Sequence, residues 1–208
     1  MSYQCALCGF VGCRDGDLEK TMEQCPSKDK ALQARAKELY LEDDNMSFAR
    51  TAAQVEAEGY CKLTRMEEIM LFARKAGYHK LGLICCTGLL REARQVHKIF
   101  THNGFEVVSV ACKNGAIPKS YIGVAPEETV SGCDGEVMCN PIGQALAMNE
   151  EKTDLNILLG LCVGHDTLAT KYSEAPVTVL AVKDRVLGHN PLAAVYMSEG
   201  YYKKKLLG

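Results

Sequence analysis

The 208-residue chain carries 24 Lys and Arg against 26 Asp and Glu, a formal net charge of -2, and 47% of its residues are apolar. This suits one α/β domain with a full core and a small appended module, and the even scatter of charge gives no footing for nucleic acid or an anionic membrane surface. No apolar run approaches the roughly 18 residues of a membrane span, and residues 1–9 lack the layout of a secretion signal, so a cytoplasmic protein is expected. In a reducing compartment its 11 cysteines point to metal or redox chemistry rather than to lasting disulfides.

Taken in chain order, residues 1–28 hold four cysteines, little apolar periodicity and several turn formers, and read as a cysteine-rich, metal-binding head. Residues 29–78 read as a helical segment packing on the core. Leu32, Ala36 and Leu39 share one helix face, and Phe48, Ala52 and Val55 share another that ends near Gly59. A third helix opens on a capping box of Thr64 and Glu67, buries Met66, Ile69, Met70 and Ala73, and stops at Gly77.

Residues 79–208 then alternate strand and helix. Strands are expected at Lys80–Cys85, Phe105–Ala111, Leu155–Leu161 and Val177–Val182. Helices are expected at Leu89–His102, after the Asn140 cap with its first-turn Pro141, from Asp166, and after Asn190 with Pro191. A polar loop spans Lys113–Met138. The order predicts an α/β fold: an open, mostly parallel, doubly wound (Rossmann-like) sheet of about four strands, preceded by the head and helices.

Cys5, Cys8, Cys13 and Cys25 form a C-x2-C-x4-C-x11-C array. The short first spacing aims two sulfurs at one ion and four thiolates complete a tetrahedral site, which suits zinc or an iron–sulfur cluster. A second set emerges only once the strands are placed. Cys85 and Cys86 end the first strand, Cys112 the second and Cys162 the third. In an open parallel sheet those ends share one edge, where such folds form their ligand crevice. Cys139, just before a helix cap, joins them, so Cys85, Cys112, Cys139 and Cys162 are candidate ligands of a cluster; the alternative is that each thiol is only a small buried hydrophobe. Strand alternation sends Cys85 and Cys86 to opposite faces, so one of the two reaches the crevice. Cys61 and Cys133 fall in loops and are read as non-ligands. Lys183, His165 and Asp166 lie at the same edge and are candidates for orienting a substrate or moving protons.

The head, the Gly104–Val107 segment leading to Cys112, Met138–Pro141, Gly160–Asp166 and Lys183–Pro191 together resemble a family of uncharacterised prokaryotic, predicted metal-binding proteins defined only as a domain of unknown function. The resemblance covers essentially the whole chain and implies metal binding without implying a reaction. The expected function is a cysteine-ligated metalloprotein, iron–sulfur (4Fe-4S) rather than zinc, with a redox or sulfur-handling role on a small molecule. The alternatives are a non-catalytic electron-transfer or metal-handling protein, or a zinc protein whose head is a structural clip. A small-molecule substrate or redox partner is expected, and no nucleic acid or membrane.

Overall fold

The computed structural model describes residues 2–208, and the chain divides into two compact units, Met1–Lys62 and Leu63–Gly208. In the first, short 3-10 turns at Cys5–Leu7, Leu18–Lys20 and Pro26–Lys28 precede helices α1 (Lys30–Tyr40) and α2 (Asp43–Gly59). Asp29 caps α1 by accepting the Leu32 N–H at 3.0 Å, and also takes the Tyr3 hydroxyl at 2.7 Å. Among residues 2–28 Gly12 alone is buried. A side chain there would meet the carbonyl oxygens of Lys20 and Asp17 at 2.2 and 2.4 Å, so the loop can close only on glycine. A module with no apolar interior needs another source of folding energy, as small metal-bound domains do.

The second unit contains α3 (Arg65–Lys75), β1 (Lys80–Cys85), α4 (Leu90–His102), β2 (Glu106–Ala111), α5 (Pro141–Glu150), β3 (Leu155–Leu161), α6 (His165–Tyr172), β4 (Val177–Val182), α7 (Leu192–Tyr196) and α8 (Lys203–Leu206). The capping box of α3 is present: the Thr64 backbone and hydroxyl donate to the Glu67 carboxylate at 2.8 and 2.7 Å. The boundary between Lys62 and Leu63 leaves α3 in the α/β unit, while α1 and α2 belong with the head.

All four strands pair in parallel, in the order β2-β1-β3-β4. Leu81, Leu83, Ile157 and Leu159 pack on one face against Ile69, Met70 and Ala73 of α3 and Ala93, Val96 and Phe100 of α4. On the other face Ile84 and Leu158 meet Met148 of α5 and Ala169 of α6. This is the expected doubly wound sheet, and burial on both faces explains why the central strands β1 and β3 read as continuous apolar runs. From β1 the chain moves outward to β2, then crosses back over β1 to β3, so the winding reverses between β1 and β3.

Among the described residues no helix is long and apolar enough to cross a membrane. The start of the last predicted helix differs from expectation. Pro191, not Asn190, is the N-cap of α7, and Asn190 supplies only its carbonyl to the Ala193 N–H at 3.1 Å. The preceding turn accounts for this: His189 has a φ of 67° and accepts the Asp184 N–H at 3.1 Å on Nδ1, which folds the loop back before the helix begins.

Gly160 couples the sheet to the edge where the cysteines lie. It has a φ of 68° at a register irregularity between β3 and β4, and a Cβ there would stand 2.0 Å from Leu89 Cδ1. Gly160→Ala should therefore destabilise the protein by about 2–4 kcal/mol, combining left-handed strain with overpacking. Urea unfolding of the variant measures this, and an unchanged midpoint would contradict the assigned close approach.

Candidate metal centre

The head brings its four predicted ligands to one place: Cys5, Cys8, Cys13 and Cys25 line a single cavity of about 130 Å³ with Thr21 and Met22. Cys8 and Cys25 are prepared for ionisation. The Val11 and Phe10 N–H groups donate to Cys8 and lower its pKa, and the Ser27 hydroxyl and N–H do the same for Cys25. Donors aimed at sulfur favour the thiolate, the form that binds metal.

In the α/β unit the strand ends carry the second set. Cys112 is its hub: the neighbouring thiols of Cys139 and Cys86 both favour its thiolate and lower its pKa. Cys162 is close enough to Cys139 for its charge to raise the Cys139 pKa, and its sulfur accepts the Arg185 guanidinium at 3.2 Å. The turn after β1 contributes two backbone donors, Thr87 N–H to Cys112 at 3.3 Å and Gly88 N–H to Cys86 at 3.4 Å. Sulfurs distant in the chain thus meet at the C-terminal edge.

The return of Cys139 has a definite cause. The Asn140 N–H donates to the Cys112 carbonyl at 2.7 Å, and the Asn140 amide donates to Asn114 Oδ1 at 3.0 Å while its own oxygen caps α5 at the Gly143 N–H, 2.9 Å. The intervening segment closes on itself through an antiparallel bridge between Pro118 and Val137 and through the Lys119–Glu136 ion pair, which holds the Glu136 pKa at about 2. Beneath the edge the buried Gln144 amide donates to the carbonyls of Cys85 and Val110, at 3.0 and 2.6 Å, and clamps the ends of β1 and β2.

Of the adjacent pair at the end of β1, it is Cys86 whose thiol lowers the Cys112 pKa, whereas the charge of Cys112 raises that of Cys85. Cys85 belongs to the core packed against α3 and α4, and its thiol donates to the Val110 carbonyl at 3.7 Å. Cys86 is the first residue beyond the strand, and a crevice forms beyond strand ends, which is the signal in the sequence that favours it. Arg185, within the Lys183–Pro191 motif, also gathers at the site, as do Thr87, Lys113 and Gln144, which no motif marks. Cys61 and Cys133 are exposed, and the Cys133 thiol donates to the Ser131 carbonyl at 3.4 Å.

Burial pushes the Cys112 thiol up, but the Thr87 N–H and hydroxyl and the two neighbouring thiols outweigh it and leave Cys112 below its ordinary range. Burial and then the charge of Cys112 raise Cys139. His165, at the first turn of α6, is lowered by burial and then by Lys113, so its imidazole is neutral near pH 7 and can donate or accept a proton. Asp166 accepts the Thr167 N–H at 2.8 Å, a tie within the first turn of α6.

Among the described residues, no group of three or more His, Cys, Asp or Glu is so arranged that it could hold a metal ion as the side chains stand. The donor chemistry at both places nonetheless fits soft-sulfur coordination. The head offers four thiols around one small cavity, and the crevice offers four thiols among Lys113, Lys183 and Arg185, whose positive charge suits an anionic iron–sulfur cluster.

Fold and edge together define an open parallel α/β protein with cysteines gathered at the C-terminal edge of its sheet. The chain belongs to the family described as protein of unknown function (DUF1847), which matches residues 25–180, a span that includes Cys86, Cys112, Cys139 and Cys162. It is 42% identical over 205 residues to the uncharacterized protein MJ0455 of Methanocaldococcus jannaschii, covering 98% of each chain. No solved structure matches.

The core thiol Cys85 gives a pH dependence. Burial, then the charges of Cys112 and Cys86, push its pKa from 9.0 up to about 11. The folded form keeps this proton after the unfolded chain has released it, so the contribution is complete below pH 9 and is lost as pH rises toward 11. The urea midpoint of metal-stripped protein should fall over that window, and Cys85→Val should flatten the fall. Equal slopes in both proteins would rule Cys85 out as its source.

Proposed function

We propose that the chain is a cysteine-ligated metalloprotein in which Cys86, Cys112, Cys139 and Cys162 hold an iron–sulfur cluster that serves a redox reaction on a small molecule, while Cys5, Cys8, Cys13 and Cys25 hold a structural zinc ion. One observation carries the reading: thiols from the ends of β1, β2 and β3 and from the loop before α5 converge at the sheet's switch point. Each thiolate of a four-iron cluster binds a different iron, so the sulfurs stand farther apart than around one ion, and a ring drawn from four separate chain segments suits that span. The head favours zinc because it has no core, and a four-thiolate zinc site supplies folding energy outright.

The cluster, when bound, supplies an electron store at the crevice floor. The chain's own residues supply the rest. Thr87, Gly88 and Arg185 donate to the sulfurs and hold their negative charge, which tunes a cluster's potential. His165, neutral and beside the ring, accepts or returns a proton as charge changes there, and Asp166 raises its basicity. Lys183 orients the reacting molecule over the β1/β3 gap.

Anaerobic purification followed by iron, acid-labile sulfide and zinc analysis tests the reading. The expected content is about four irons and four sulfides with about one zinc per chain, and a visible band bleached by dithionite. A colourless protein holding zinc alone would overturn the cluster. Replacing single ligands then separates the sites. Cys162→Ala should lose most of the iron and keep the zinc, whereas retained iron would remove Cys162 from the ligand set. Cys8→Ser should lose zinc, keep the visible band and become protease-sensitive before residue 29.

A further inference from the structure

Three cations stand around the sulfur ring, and their partners differ. Arg185 is engaged with the Cys162 sulfur, and the Lys113 ammonium donates to the Val137 carbonyl. Among the described residues the Lys183 ammonium has no hydrogen-bond or ion-pair partner. The nearby carboxylates are already used: Asp184 accepts the Val186 and Leu187 N–H groups at 2.9 and 2.8 Å, and Asp166 accepts that of Thr167. The backbone donors of Thr87 and Gly88 are taken by sulfur.

Lys183 is also placed where a ligand is expected. It follows β4, its N–H bonded to the Leu161 carbonyl at 2.9 Å, and its side chain reaches back across β3 to the β1/β3 gap. Its Nζ lies 3.6 Å from the point a Cβ on Gly88 would occupy and 3.7 Å from the corresponding point on Gly160. Cys86 Sγ lies 3.7 Å from that same Gly88 point. The absent Gly88 side chain thus leaves a methyl-sized gap between a half-buried ammonium and a ring sulfur. An ammonium offers three donors and no acceptor, and one with no hydrogen-bond partner attracts negative oxygen.

We infer that the crevice binds a small oxyanion, its charge held by Lys183 and its body seated over Gly88 between Lys183 and Cys86. The inference rests on this crevice being the functional site and names the class of molecule it takes.

Anaerobically purified protein, titrated calorimetrically with inorganic phosphate, sulfite and acetate, tests it. At least one of the three should bind one-to-one. Lys183→Gln and Gly88→Ala should each weaken that binding about tenfold or more, while Lys204→Gln on the exposed C-terminal helix leaves it unchanged. Gly88→Ala is a mild change because its Cβ makes only ordinary contacts. The visible spectrum of Lys183→Gln should match that of the parent protein. Failure of all three anions to bind, or undiminished binding by Lys183→Gln, overturns the inference. Loss of the visible band in Lys183→Gln also overturns it, by assigning Lys183 to cluster support. A colourless protein that still binds an anion through Lys183 upholds the inference and removes only the cluster.

Discussion

Parallel pairing of all four strands is the constraint on which everything else depends. A parallel sheet sends every strand's C-terminal end to the same edge, and each return connection crosses a face as a helix that begins at that edge. Residues at positions 86, 112 and 162, far apart in the chain, become neighbours because each is the first beyond its strand. The fourth sulfur arrives by other means. The hydrogen bond from the Asn140 N–H to the Cys112 carbonyl closes the long loop after β2 and sets Cys139 beside Cys112.

The two edges of the sheet differ in chemistry. At the N-terminal edge charge is matched: Lys80 pairs with Glu106 at 3.1 Å and Glu151 at 2.8 Å, and Asp154 accepts the N–H groups of His79 and Lys80. Those contacts fix the strand starts. At the C-terminal edge thiols meet cations and backbone donors, so negative charge is favoured on Cys112 while burial opposes it on Cys139. Thr87 does this most directly, bringing the Cys112 pKa down despite burial. The head solves a different problem, since a segment with no apolar interior has little besides its own thiols to close it.

Much of this was legible in the residues. The runs at Lys80–Cys85 and Leu155–Leu161 coincide with β1 and β3, because central strands buried on both faces leave continuous apolar stretches, and Val177–Val182 coincides with the edge strand β4. The Thr64–Glu67 box and the Asn140–Pro141 cap act locally and were equally readable. Less accessible was anything decided across the fold. Alternation could not tell Cys85 from Cys86, since both faces of β1 are apolar. The closure of residues 113–138 on itself depends on the Pro118–Val137 bridge and the Lys119–Glu136 pair, which no periodicity announces. The Arg185–Cys162 contact joins two loops that only the β3–β4 pairing brings together.

The central claim is that one inorganic group sits within the ring of Cys86, Cys112, Cys139 and Cys162. Anomalous diffraction at the iron edge, from crystals grown anaerobically, tests it most directly. The account predicts a compact iron peak bounded by those four sulfurs. A crevice free of iron, or iron held by other residues, would contradict it.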